Sequence, residues 1–133
     1  MKKNIPIGLL MFIIGLGVGI GAIESMNNIT NKITTRGYVV ANYTINDPGA
    51  YQKYVEAVMS AIAEYGGKLI IGDFEPKKLE GNPGQGIVVV EFASFEAANR
   101  FYNSPEYTKN KHFRLSSTEG WVVIAKEFVM PKQ

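Results

Sequence analysis

Residues 101–107, FYNSPEY, place a helix stop and a helix start next to each other among bulky aromatic residues. Pro105 disfavours helical geometry at the residue before it, so a helix that enters this stretch ends at Asn103. Ser104 then caps a new helical turn with Pro105 at its first position, where the missing N–H costs nothing. The stretch predicts a helix that is broken and redirected, with the preceding aromatic residues packed on a sheet and Tyr107 turned along the edge of the domain.

Four segments around this break have the composition and the alternation of β-strands. All of them are rich in β-branched and aromatic residues. They are GYVVANYTI at residues 37–45, KLIIGDF at 68–74, GIVVVEF at 86–92 and WVVIAKEF at 121–128.

Helix signals follow the first and the third of these strands. Asp47 is an N-cap candidate with Pro48 after it, and Gly66 with its neighbour supplies a left-handed terminator. The apolar residues between them form one helical stripe: Tyr51, Val55, Val58, Met59, Ile62 and Tyr65. Ser94 caps the second helix. The order β-α-β-β-α-β predicts an α+β, ferredoxin-like fold in which two helices cover one face of a four-stranded antiparallel sheet.

The other face of the predicted sheet has no helix to cover it. Alternation places Tyr38, Val40, Ile87 and Val89 on this face. A sizeable exposed apolar patch marks an interaction surface, and two sheets packed face to face about a twofold axis would bury it. We therefore expect a homodimer that buries roughly 800 Å² per partner.

The N-terminus begins with Lys2 and Lys3, followed by residues 4–23, which contain no charged side chain. This pattern fits a secretory signal peptide, and its length of roughly 20 residues also fits an uncleaved membrane anchor. In both cases we expect the rest of the chain to be exported, to the periplasm or the extracellular space, with membrane contact only through residues 4–23. The predicted organisation is a signal peptide or anchor helix at 1–23, a linker at 24–35 and a folded domain at 36–130.

Composition excludes several classes of function. The net charge of +2 comes from Lys2 and Lys3, since removing them from the 14 basic residues leaves 12 against 12 acidic ones. A domain balanced in this way has no basic stripe for nucleic acid, so we expect no such partner. With no cysteine and one histidine, we expect no metal site and predict no cofactor, although the sequence leaves open whether a haem or flavin enters.

Several short motifs occur in order along the chain: Tyr51-x-x-Tyr54, Tyr65-Gly66-Gly67, Leu79-Glu80-Gly81, Val90-Glu91-Phe92, the FYNSPEY stretch and Arg114. Together they resemble the domain-of-unknown-function 1330 family over most of residues 36–128. The resemblance implies a ferredoxin-like fold of the dimeric α+β barrel group, which includes haem-degrading and quinone-forming monooxygenases and muconolactone isomerases. Where that family often has an Arg-Gly pair after the second strand, this chain has Ile71-Gly72-Asp73.

Five residues are candidates for a ligand site: Asn42, Glu91, His112, Arg114 and Trp121. Asn42 and Glu91 are polar residues in apolar strands on the uncovered face, where a desolvated Glu91 could act as a general base or, alternatively, fix the register of the dimer. Arg114 matches a family position and could bind a carboxylate with two parallel hydrogen bonds, or form a salt bridge with Glu91, Glu106 or another acid.

The two remaining candidates also have alternative interpretations. His112 could be an acid–base group or a metal ligand, or an exposed histidine at a helix end favoured by the helix dipole. Trp121 could form the floor of a ligand pocket, or belong to the core or an interface. The tyrosines of the first helix are interpreted as packing residues.

These observations predict an exported homodimeric α+β barrel protein that is a structural or small-ligand-binding module. The alternative is a cofactor-free enzyme, isomerase-like or monooxygenase-like, that acts on a small hydrophobic or aromatic carboxylate. A cavity of roughly 300 Å³ or more on which Asn42, Glu91, His112 and Arg114 converge would support ligand binding, and a packed interior would support a structural role.

Overall fold

A computed structural model describes residues 34–133, and the predictions for residues 1–23 and for most of the 24–35 linker lie outside this range. Within it the chain forms eight elements: β1 Gly37–Ile45, α1 Pro48–Glu64, β2 Lys68–Asp73, β3 Gly86–Phe92, α2 Phe95–Tyr102, α3 Pro105–Thr108, α4 Lys111–Ser117 and β4 Thr118–Lys126. No helix between residues 34 and 133 is long and apolar enough to cross a membrane.

The four strands form one antiparallel sheet in the order β2-β3-β1-β4. This order has β1 and β3 in the centre, helices between β1 and β2 and between β3 and β4, and a loop between β2 and β3. It is the ferredoxin-like arrangement predicted from the sequence. Strands β1 and β3 have the bounds expected from their alternation. The edge strand β2 has a register irregularity between Leu69 and Ile71.

The predicted break at Pro105 is confirmed. Helix α2 ends at Tyr102, and the Ser104 side chain accepts a hydrogen bond of 3.1 Å from the backbone N–H of Tyr107 in α3. The Ser104 hydroxyl also donates to the carbonyl of Phe101 at 2.7 Å, so one side chain bridges both sides of the break. The second helical segment therefore consists of three short helices, and the last of them, α4, was not anticipated.

The last strand begins and ends earlier than predicted, at Thr118 and Lys126 instead of residues 121 and 128. Residues 118–120 extend the pairing with the end of β1. Gly120 has a positive φ of 152° and lies against the backbone of Asn42, where a Cβ would have no room. Glycine lacks a strand-like side chain, so the alternation pattern missed this part of the strand.

The core lies between the sheet and the helices. Its largest fully buried aromatic side chains are Phe92 and Phe101, with ring centroids 5.1 Å apart. The strand register places the four predicted residues on the opposite face, as expected: Tyr38, Val40, Ile87 and Val89.

This uncovered face also carries residues from both edge strands. They are Ile71, Trp121 and Val123, whose exposed fractions are 44%, 51% and 48%. Within residues 34–133, no helix covers this face of the sheet.

Candidate functional site

An apolar cavity of about 160 Å³ lies between α1 and the covered face of the sheet. Strand residues pointing to that face and the apolar stripe of α1 form its walls. The aliphatic part of the lining consists of Val39, Ala41, Val55, Val58, Met59, Ile62, Leu69, Val88, Val90 and Val122. The aromatic and charged part consists of Tyr43, Tyr51, Tyr54, Phe74, Phe101, Tyr107 and Arg114.

Arg114 contributes the only formal charge among the described lining residues. Its side chain is 7% exposed, and its Nε donates a hydrogen bond of 3.3 Å to the Tyr107 hydroxyl. Burial alone lowers the pKa of the guanidinium, proximity to Tyr107 raises it, and the net shift is upward, so the side chain stays charged. Arg114 therefore places a positive charge in a largely apolar environment.

The salt bridge expected as the alternative role of Arg114 is not formed with any described residue. Glu91 pairs instead with Arg36, whose Nη1 lies 3.2 Å from the Glu91 carboxylate. Glu106 accepts a hydrogen bond of 2.9 Å from the Tyr65 hydroxyl. A buried cation without a carboxylate partner is costly, because its loss of hydration is not offset by an opposite charge.

Tyrosine hydroxyls lie near Arg114 at the same end of the cavity. Those of Tyr43 and Tyr51 form a hydrogen bond of 2.7 Å, and Tyr54 packs against Tyr107 with ring centroids 6.3 Å apart. Burial is the main cause that raises the pKa of Tyr43, followed by its bond to Tyr51. Burial also raises the pKa of Tyr54 well above its usual value. These hydroxyls consequently remain protonated at neutral pH.

The mouth of the cavity lies between α1 and the edge strand β2. Met59 on α1 and Leu69 on β2 both line the cavity, yet each is 44% exposed. These two partly exposed side chains are where the lining of the cavity reaches the surface between α1 and β2.

Asn42 and Trp121 line a different site, an open polar depression of about 370 Å³ at the end of β1. The Asn42 amide donates to the carbonyls of Gly84 and Gly86 at 3.3 and 2.9 Å and accepts from the N–H of Gly84 at 2.8 Å. These bonds attach the loop after β2 to the sheet. Asn42 thus has a structural role in the loop, and it does not reach the apolar cavity.

Glu91 and His112 also lie away from the cavity. Glu91 is on the uncovered face, opposite Tyr38 in the register, and its partner is the exposed Arg36. His112 is exposed and stacks on Phe113 with ring centroids 4.0 Å apart. It is the second residue of α4, so it lies at the N-terminal end of that helix and not at the C-terminal end that was expected from the sequence.

Of the five predicted residues, only Arg114 lines the cavity, and the cavity is smaller than the 300 Å³ that was set for ligand binding. Sequence reasoning missed the tyrosine cluster and interpreted Tyr51 and Tyr54 as packing residues. A usable signal was present, because a buried tyrosine needs a partner for its hydroxyl and several tyrosines were predicted on one buried surface. Within residues 34–133, no three histidine or acidic residues are grouped to hold a metal ion.

Comparisons with known proteins agree with this architecture. A family model described as "Domain of unknown function (DUF1330)" matches residues 36–128. No curated protein is significantly similar to the chain. A protein of unknown function from Rhodopseudomonas palustris, RPA0582, has a similar structure with a TM-score of 0.59 and 15% identity, over 80% of this chain and 94% of that one.

A second similar structure is that of SnoaB, a cofactor-independent oxygenase from Streptomyces nogalater. Its TM-score is 0.52 at 10% identity, over 75% of this chain and 97% of that one. At such low identity these similarities establish a shared fold only.

Proposed function

Because the chain belongs to the family described as domain of unknown function DUF1330, which specifies no activity, we propose a function from its cavity: binding of a small, mainly apolar molecule that carries one anionic oxygen group. The observation that carries this proposal is the buried guanidinium of Arg114, which lines an apolar cavity and forms no salt bridge with any described residue. A ligand carboxylate would supply the missing opposite charge.

The size of the cavity limits the ligand to about one six-membered ring with a short substituent. Its volume of about 160 Å³ is close to that of engineered cavities of about 150 Å³ that bind benzene. The aliphatic walls suit the ring, and the guanidinium with its neighbouring tyrosines suits the oxygen group. A small aromatic carboxylate such as benzoate therefore matches the site.

Titration calorimetry with benzoate and with its neutral analogue benzyl alcohol tests the proposal. We expect benzoate to bind at least tenfold more tightly, since only the carboxylate compensates the charge of Arg114. Equal affinities, or no binding of either compound, would contradict the proposal.

Two variants test whether benzoate binds in the cavity. Arg114→Met should abolish the preference for benzoate, whereas Arg36→Met is the matched control at an exposed ion pair on the other side of the sheet. A loss of benzoate binding in both variants would mean that the effect is not specific to the cavity.

A cofactor-free enzymatic activity, isomerase-like or monooxygenase-like, remains the second candidate, and the fold shared with a cofactor-independent oxygenase is its support. Binding is favoured over it because the described residues that line the cavity include no carboxylate or imidazole that could act as a base near neutral pH. Catalytic turnover of an aromatic carboxylate by the purified protein would favour the enzymatic activity over simple binding.

The uncovered face of the sheet supports association of two copies of the chain. Trp121 and Val123 are about half exposed there, and in a soluble domain such a face is expected to find a partner. Light scattering should give the mass of a dimer at micromolar concentration. Val123→Asp should yield a monomer, and Leu115→Asp, at an exposed apolar residue of α4, should not. A monomeric wild type would contradict a homodimer.

Export of the domain is proposed from the uncharged segment at residues 4–23 that follows Lys2 and Lys3. Residues 1–35 fused to a reporter that is active only outside the cytoplasm should produce activity in a bacterial host. Replacing two apolar residues of the segment by arginine should remove that activity. An inactive fusion with the natural segment would contradict export.

A further inference from the structure

The polar end of the cavity holds more hydrogen-bond donors than acceptors. Arg114 uses Nε to bond the Tyr107 hydroxyl, which leaves the two terminal amino groups of its guanidinium for other acceptors. In the Tyr43–Tyr51 pair one hydroxyl donates a hydrogen bond to the other. The accepting hydroxyl still has its own proton, which it can donate to a ligand. An oxygen atom placed at this end would meet several donors.

The charge at this end of the cavity, like the excess of hydrogen-bond donors, favours a ligand oxygen that accepts hydrogen bonds and is negatively charged. Arg114 is positive, and the described lining includes no acidic side chain. Because burial raises the pKa of Tyr43 and Tyr54, their hydroxyls stay neutral and supply protons instead of negative charge. The site therefore favours an anionic oxygen over a neutral one.

From this excess of donors around one cation we propose that the cavity takes up small phenols as phenolate anions in preference to the neutral molecules. This inference rests on the proposed function, and it adds the class of ligand. When a phenol binds in its anionic form, its O–H bond breaks, the proton passes to the buffer, and the phenolate oxygen accepts hydrogen bonds from Arg114 and the tyrosines. At a pH below the lowered pKa the bound phenol keeps its proton.

Two opposing effects act on the pKa of a bound phenol, so the direction in which this pKa changes tests the inference. Transfer of an acid into an apolar cavity favours the neutral form and raises its pKa. A nearby cation and hydrogen bonds to the ionised oxygen lower it. A phenol bound in an ordinary apolar pocket would thus become a weaker acid, whereas here it should become a stronger one.

A phenol matches the cavity in size as well as in charge. Its oxygen is attached directly to the ring, so the ring can occupy the aliphatic region while the oxygen lies at the guanidinium. Its volume is close to that of the benzene held by cavities of about 150 Å³. One phenolate oxygen can accept from more than one donor, and this end of the cavity provides donors from Arg114 and from the Tyr43–Tyr51 pair.

The experiment is a pH titration of 4-fluorophenol with and without excess protein, followed by ¹⁹F NMR. The fluorine shift differs between phenol and phenolate and is free of background from the tyrosines of the protein. We expect the pKa of the bound ligand to fall by about 1 to 2 units, which corresponds to a tenfold to hundredfold preference for the anion. An unchanged or raised pKa for the bound ligand would overturn the inference.

Variants separate the roles of charge and hydrogen bonds. Arg114→Met should reverse the shift, and Arg114→Lys should retain most of it. The double variant Tyr43→Phe/Tyr51→Phe should retain the charge and reduce the shift to about half, and it serves as the test should the Arg114 variants fail to fold. Arg36→Met, as a surface control, should leave the shift as in the wild type.

Comparison with benzoate distinguishes the two proposals. Binding of benzoate together with no binding of 4-fluorophenol, or with a raised ligand pKa, would overturn selection of phenolates and leave the proposed function standing. Failure of both compounds to bind would overturn both.

Discussion

The Nε of Arg114 donates a hydrogen bond to the hydroxyl of Tyr107 at 3.3 Å, and this bond connects α4 to the helical turn that follows Pro105. Tyr107 is the last residue of the stretch in which the helix is broken and redirected. The break therefore has a consequence beyond the path of the backbone, because it brings a tyrosine against the only charged residue among the described lining of the cavity.

Arg114→Met is expected to lower the free energy of unfolding by less than about 1 kcal/mol or to raise it. The variant should therefore be about as stable as the wild type, or more stable. The variant removes the cost of burying an unpaired charge and loses one hydrogen bond, and buried charged groups can often be replaced by apolar ones without loss of stability. Urea denaturation measures the change. A destabilisation above about 3 kcal/mol would indicate a structural role for Arg114.

Asn42→Ala is expected to destabilise the domain by about 1–3 kcal/mol, because the backbone groups of Gly84 and Gly86 lose their buried partner. Hydrogen exchange of the Gly84 amide should accelerate in this variant. Asn82→Ala, in the exposed part of the same loop, is the control and should change stability by less than about 0.5 kcal/mol. Similar effects of the two substitutions would contradict the role assigned to Asn42.

Ser104→Ala is expected to cost about 1 kcal/mol through loss of the N-cap bond to Tyr107. Because this bond also positions Tyr107 beside Arg114, the variant should bind benzoate more weakly than the wild type. Ser116→Ala, at an exposed serine of α4, should affect neither property. An unchanged affinity in Ser104→Ala would show that the cap does not position the site.

Alkaline pH is expected to destabilise the domain through the buried tyrosines. The pKa of Tyr43 in the folded state is raised, mainly by burial, so its contribution to stability is fully present below pH about 10 and is lost as the pH rises further. The loss should be up to about 1.4 kcal/mol per pH unit for each tyrosine that stays protonated only when folded.

Tyr43→Phe should make this alkaline decrease shallower, as measured by denaturant titrations between about pH 9 and 11. A pH dependence identical to that of the wild type would mean that Tyr43 titrates normally in the folded domain.

Local patterns predicted most of the architecture. The bounds of β1 and β3, the cap at Asp47 and the break at Ser104 depend on neighbouring residues, which the sequence contains in full. Thr118 to Gly120 escaped prediction because their strand geometry depends on pairing with β1 and not on their own composition.

The candidate site was predicted less completely for the same reason. Arg114 was identified, but its surroundings were not, because the sequence left Glu91, Glu106 or another acid as a possible salt-bridge partner. Packing places Glu91 against Arg36 and Glu106 against Tyr65. Asn42 was a candidate ligand-binding residue, and only the tertiary structure shows that its side-chain amide is hydrogen-bonded to the backbone of Gly84 and Gly86.

The sequence by itself determined the order of the elements and the uncovered face of the sheet, since both follow from periodicity and from capping residues that act over a few positions. The tertiary structure alone decided which polar groups share a cavity, because Tyr43, Tyr51 and Arg114 come from β1, α1 and α4 and meet only after the chain has folded. Whether a buried charge has a partner depends on distances across the fold, and no local pattern encodes them.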